Sequence, residues 1–344
     1  MGKPRARYST DLSDAEWEIL RPLVPAVKPG GRPARHTRRE IVNALAYWLR
    51  AGCAWRLLPH DLPPWQTIYH CGRQWRRDGL WERMLTELRE RERLRLGRDP
   101  TPSAGVMDSQ SVRATERGGL HGYDGGKKVN GIKRHVLVDT LGTVLLTCVI
   151  PANVDDRDCA EVLLCQAADT FPRLNHVWAD QGYRGADFHA WIRQATGITV
   201  QIAQRRDGGF RHTWAKAGAP TREVPDFAVV PRRWVVDRTF AWLGRCRRLS
   251  NDYEYLRVNS ENVIYLAIAL TAKVHRVAVR GAGLARGWMC TDIQSGAWRR
   301  GGRAGRGPQT DRPGRAEASA DGAPGQHQYG ALPARDDNPG LGRR

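Results

Sequence analysis

The sequence has few cysteines and no long apolar run. Cys53, Cys71, Cys148, Cys159, Cys165, Cys246 and Cys290 are odd in number, scattered, and contain no C-x-x-C pair. That excludes a zinc ribbon and argues against a disulfide framework. No stretch approaches the ~18 apolar residues a membrane helix needs. The opening "MGKPRARYSTDLSDAEWE" has basic residues but no apolar segment behind them, so no secretory signal is expected. Three catalytic signatures are also missing: H-E-x-x-H, G-x-S-x-G, and the G-x-x-x-x-G-K-[ST] nucleotide loop. Acidic residues are the minority, 36 Asp+Glu against 55 Lys+Arg, for a net charge of +19. A balance this basic points to a polyanionic partner, double-stranded DNA before any membrane, and to a cytoplasmic protein with access to the nucleoid.

Thirteen tryptophans accompany that charge, which favours a folded chain over a basic disordered one. Residues 12–95 read as all-helical. Ser13 with Glu16, and Thr37 with Glu40, form S/T-x-x-E capping boxes, and Gly52 is placed to end the second helix. "WQTIYHCGRQWRRDG" and "LWERMLTELRERERLR" supply two more helices; the charged end of the latter and residues 96–103 read as a linker. From 104 the period changes. "AGVMDSQSV", "IKRHVLVDT", "GTVLLTCVIPA", "NHVWAD" and "ITVQIA" read as five strands, with "RDCAEVLLCQAADTF" and "GADFHAWIRQAT" as helices among them. Leu141-Gly142 marks the turn between the second and third strands. A polar, arginine-rich loop covers 204–230. "PRRWVVDRTFAWLGRCRRL" is a further helix and "SENVIYLAIALTAKVHRVA" a final apolar one. Residues 279–344 are rich in Gly, Pro and Arg, nearly free of aliphatic residues, and read as a disordered tail.

Three carboxylates stand at the edges of separate elements: Asp108 in "VMDSQS", Asp180 in "VWADQGYRG" and Asp237 in "RRWVVDRTFAWL". Asp108 sits in an otherwise apolar strand, where an unpaired charge is costly. Asp180 ends a strand, where ligands of open α/β sheets gather. Asp237 lies within a helix, one turn after Arg233. Acids of this kind suit Mg²⁺, or Mn²⁺ in its place: a hard ion that needs only a few carboxylates. Two such ions roughly 3.5–4 Å apart can activate water, stabilise phosphoryl charge and assist the leaving oxygen of a phosphodiester.

The three strings resemble the catalytic blocks of DDE transposases from bacterial insertion sequences, specifically insertion-sequence family five, over roughly residues 8–278. The resemblance implies an α/β fold: a ribonuclease-H-like catalytic domain over 104–278, with a mixed five-stranded sheet flanked by helices. It implies a small helical DNA-binding domain over 12–95, behind a basic arm at 1–11. It also implies that Asp108, Asp180 and Asp237 are the catalytic metal ligands. Position 237 is Asp where that family has Glu, one methylene longer.

"WQTIYHCGRQWRR" is the expected recognition helix of a helix-turn-helix, with Gln66, His70, Arg73 and Arg77 facing DNA and Ile68, Tyr69 and Trp75 packed inside. Further phosphate contacts are expected from Lys127, Lys128, Lys133, Arg134, Arg205, Arg206, Arg233, Arg245, Arg247 and Arg248. The activity implied is binding of terminal inverted repeats, metal-dependent end cleavage and strand transfer, by a homodimer or larger complex. Two alternatives stand beside it: a catalytically impaired relative that only binds DNA, motivated by Asp237, and a host nuclease of the same fold.

Overall fold

The computed structural model describes residues 5–27, 30, 34–116, 118–203 and 234–273, with residues 271–273 described by backbone alone. The arginine-rich loop at 204–230 and the tail at 279–344 lie outside these residues.

Four helices open the chain: α1 (Asp14–Leu20), α2 (Arg38–Ala51), α3 (Trp65–Arg77) and α4 (Leu80–Arg95). Both capping boxes form. The Ser13 and Thr37 side chains accept from the backbone of Glu16 and Glu40, whose carboxylates bond back. Gly52 ends α2 in the left-handed conformation at φ 70°, which glycine adopts without steric cost.

The sheet is built from β1 (Ala104–Arg113), β2 (Gly122–Asp124), β3 (Val129–Asp139), β4 (Val144–Pro151), β5 (His176–Ala179) and β6 (Thr199–Ile202). The five strands read from the sequence are present, and β2 is a sixth, a short hairpin arm on the start of β3. β3 pairs antiparallel with β1 on one edge and with β4 on the other. β5 runs parallel to β1, and β6 parallel to β5. The main order β4-β3-β1-β5-β6 is that of a ribonuclease-H-like fold. α5 (Asp156–Thr170) and α6 (Ala186–Thr196) cover one face, packing on Met107, Leu137 and Val177. The other face, with Val106, Val136 and Val138, meets α7 (Trp234–Leu243) and α8 (Arg257–Ala267). That second core continues without a break into α2, α3 and α4. Covered on both sides, β3 is buried along its whole length from Gly131 to Asp139, as its run of Val, Leu and Ile requires.

Two expectations change. The charged end of α4 is not a linker. Arg93 is buried, its guanidinium bonds Asp139 at 3.1 Å, and Asp139 in turn accepts from Leu141 and Thr143 in the β3–β4 turn. The charged run read as a linker because the partner of Arg93 lies 46 residues away. The helix of Asp237 stops at Leu243, and a separate turn of 3-10 helix carries Arg247–Leu249.

Candidate active site and nucleic-acid interface

Asp108 lies midway along β1, opposite Val136 of β3, and is 7% exposed. The parallel ladder pairs Ala104 with His176 and Val106 with Trp178. Carried two residues further, that register sets Asp180 alongside Asp108. Strand alternation directs the Asp108 side chain to the face of Val106 and Val136, the face that α7 covers. Asp180 follows the last residue of β5 and caps a 3-10 turn, Gln181–Tyr183, by accepting from Gly182 N–H at 2.9 Å. Asp108 accepts from Ser109 N–H at 2.7 Å.

Tyr183 is fully buried beside this pair. Burial, then the charges of Asp156, Asp108 and Asp180, hold its hydroxyl protonated well above the usual tyrosine range. That hydroxyl meets His135 Nδ1 at 3.0 Å. Burial brings the His135 pKa down to about 4, against an opposing pull from Asp156. The imidazole is therefore neutral, and its 3.6 Å approach to Asp156 is no ion pair at neutral pH. The charge partner of Asp156 is Lys133, at 3.0 Å.

Asp156, the first residue of α5, is the functional candidate that sequence reasoning missed. A Cβ at Gly182 would stand 3.1 Å from Asp180 Oδ1 and 3.3 Å from Asp156 Oδ2. Both carboxylates therefore lie close to the same glycine, where a side chain fits only if they give by a few tenths of an ångström. Three aspartates in "VDDRD", within so basic a chain, were the available signal.

Asp237 sits differently. α7 buries Val235, Val236, Thr239 and Leu243. It is tied to the β3–β4 turn by Thr239 Oγ1 donating to Gly142 O at 3.0 Å and Arg238 donating to Leu141 O at 2.9 Å. The Arg238 guanidinium lies over the Trp234 and Trp242 rings, at 4.5 and 5.0 Å. Asp237, in the first turn, is exposed. Among the described residues, no group of three or more His, Cys, Asp or Glu is close enough to hold a metal ion. Asp108 and Asp180 offer hard-oxygen donors of the kind Mg²⁺ and Mn²⁺ take, and the charges of both act on Tyr183. Asp237 does not complete them in this arrangement.

The expected DNA-contacting residues divide. Gln66, His70, Arg73 and Arg77 all lie on the exposed side of α3, while Ile68 and Trp75 are buried. Tyr69 is not inside as expected: it is 45% exposed and touches Trp55 edge-on. It stands 100° round the helix from Ile68, whereas Trp75 returns to the Ile68 side after two turns. Lys127 and Lys128 are exposed at the β2–β3 turn, and Arg245 and Arg247 are exposed after α7. Arg248 is engaged by Glu254 at 2.6 Å and stacks over Trp48 and Tyr253. Lys133 and Arg134 are corrections, since both are interior. Lys133 serves Asp156 and Val154 O, and Arg134, 1% exposed, donates to Leu249 O and Asn251 O. Arg205, Arg206 and Arg233 lie outside the described residues.

The model of the "Transposase DDE domain" family matches residues 99–272, just over half of the 344 residues. This chain belongs to that family. A second model, described as "Putative transposase of IS4/5 family", matches residues 12–85, the helical segment. Over 131 residues, 36% of this chain, it is 30% identical to the "Putative transposase for insertion sequence element IS402" of Burkholderia cepacia. Over 77 residues, 22% of this chain, it is 32% identical to the "Uncharacterized protein y4sN" of Sinorhizobium fredii. The chain spans 54% of the first relative's length and 62% of the second's. Among the described residues, no helix is long and apolar enough to cross a membrane.

Proposed function

We propose that this transposase binds the terminal inverted repeats of an insertion sequence, cuts the DNA there, and joins the freed 3′ ends to target DNA. The reading is supported by the parallel β1–β5 register, Val106 opposite Trp178, which continued two residues would bring Asp108 on β1 beside Asp180 just past the end of β5. In the proposal these two carboxylates hold Mg²⁺ or Mn²⁺. The bound ions would activate the attacking oxygen and offset charge on the phosphoryl group. Backbone N–H groups of Ser109 and Gly182 fix the carboxylates. Lys133 holds Asp156, whose carboxylate lies near Gly182 as that of Asp180 does. Asp237 is the proposed third ligand, drawn in as α7 adjusts on DNA.

The helical segment at 12–95 supplies the repeat-binding surface, with Gln66, His70, Arg73 and Arg77 toward base edges and phosphates. Lys127, Lys128, Arg245 and Arg247 add non-specific, salt-sensitive attraction. Residues 104–278 form the catalytic part. Two ends cut in concert imply at least a homodimer, working at the nucleoid in the cytoplasm.

A second reading, a DNA-binding relative without cleavage, is favoured by the exposed Asp237 standing apart from the other acids. One experiment separates the two: footprinting and nicking of an end-containing duplex with Mn²⁺, comparing the unaltered chain with Asp108→Ala. Footprints from both with nicking only by the unaltered chain support the transposase. Footprints without nicking by either support the binder.

A further inference from the structure

A cavity of about 90 Å³ lies where α2 and α3 meet α8, with Glu254, held by Arg248 at 2.6 Å, also in its lining. It holds several times the space one water needs. Its aromatic walls are Trp48, Trp55 and Tyr69. Trp55 stacks on Trp48 with centroids 4.2 Å apart and meets Tyr69 edge-on at 5.5 Å. Arg73 and Arg76 of α3 also line it, as does Asn262 of α8.

Two of the lining residues carry buried polar atoms with no protein partner. Trp48, 3% exposed, has an indole N–H without an acceptor. Asn262, 8% exposed, donates its amide N–H to Val258 O, so the amide orientation is fixed and the unmatched atom is its oxygen. Leaving such groups unpaired is costly, so an occupant that pairs them is favoured. A purely apolar occupant would answer neither. What fits is a planar ring carrying both an acceptor and a donor on its edge, and the two arginines suit an attached phosphate.

We propose that this cavity receives one unpaired nucleobase with its phosphate. The inference rests on the DNA-binding reading above, and it adds a base-holding pocket to the helix proposed to read the repeats. Tyr69, Arg73 and Arg76 belong to that same helix, so a base leaving the duplex against α3 would enter directly. Stacking against Trp55 and Tyr69 would hold it, as aromatic side chains hold unstacked bases elsewhere.

The test measures affinity of the full chain for three 20-base-pair duplexes: fully paired, with one bulged thymidine, and with an abasic bulge that keeps the phosphate. The bulged thymidine should bind roughly tenfold more tightly than the abasic bulge. Trp55→Leu, and independently the surface change Tyr69→Ala, should erase that preference. Thymidine 5′-phosphate, titrated against tryptophan fluorescence, should bind far more weakly than the bulge; equal affinity would identify a free nucleotide as the ligand of the same pocket. Equal binding of both bulges, or a preference surviving both substitutions, overturns the pocket while leaving duplex binding intact. Failure to bind any of the three duplexes overturns the DNA reading and the pocket with it.

Discussion

Replacing Arg134 with Met separates a structural arginine from a DNA-binding one. Its guanidinium, 1% exposed, donates to Leu249 O at 2.7 Å and Asn251 O at 3.2 Å, pinning the segment after α7 to β3. Burial brings its pKa down to about 10 from 12.5, equivalent to about 3 kcal/mol against the charged form. Two hydrogen bonds from a charged donor contribute about 1.5–3 kcal/mol each, and two abandoned carbonyls cost about 1–3 kcal/mol each. Loss of the bonds therefore outweighs relief of the buried charge, and Arg134→Met should lose at least about 2 kcal/mol. Urea unfolding followed by tryptophan fluorescence measures this. Salt titration of DNA affinity gives the second readout, since each lost phosphate contact lowers the slope of log affinity against log salt by about 0.9. Arg134→Met should leave that slope unchanged, whereas Arg77→Ala on the exposed side of α3 should reduce it. Unaltered stability with a reduced slope for Arg134→Met would refute the interior assignment.

Three further outcomes follow from the same geometry. Gly182→Ala would press a methyl group against Asp180 and Asp156; cleavage should fall on the order of 10²-fold with stability changed by about 1 kcal/mol or less. A normal rate would remove Gly182 from the site. His135, faced by Asp156, Lys133, Lys127 and the Tyr183 hydroxyl, has its pKa brought from 6.5 to about 4. Between those values the unfolded chain takes up a proton that the folded chain does not. Stability should thus be full above pH 6.5 and fall by up to about 3 kcal/mol as pH drops toward 4. Urea midpoints for His135→Gln should lack that fall; an identical pH profile would exclude His135 as its source. Asp237→Glu extends the carboxylate by about 1–1.5 Å, and as third ligand it should accelerate Mn²⁺-dependent cleavage on the order of 10²-fold. An unchanged or slower rate would count against position 237.

Much of the fold was legible because its signals are local. Both capping boxes, the Gly52 stop and the Leu141-Gly142 turn act within a few residues of themselves. The five main strands were legible from their apolar runs. The short β2 was not, since "GYD" carries no such run. Asp108 and Asp180 stood out because each interrupts or ends an apolar strand. The errors share one cause, a distant partner. Lys133 and Arg134 read as a basic surface pair, yet alternation sends them to opposite faces of a buried strand, one toward Asp156 and the other toward the carbonyls after α7. The charged end of α4 read as a linker because Asp139, the partner of Arg93, was invisible from α4. Asp156 was passed over because Gly182, which brings it beside Asp180, belongs to another element.

Metal coordination by the paired carboxylates is tested most directly by Asp180→Cys. A thiolate is a poor ligand for Mg²⁺ and a better one for the softer Mn²⁺. Nicking of an end-containing duplex by this variant should vanish in Mg²⁺ and return in part in Mn²⁺. Cleavage in Mg²⁺ as fast as that of the unaltered chain would contradict the claim that Asp180 holds the ion.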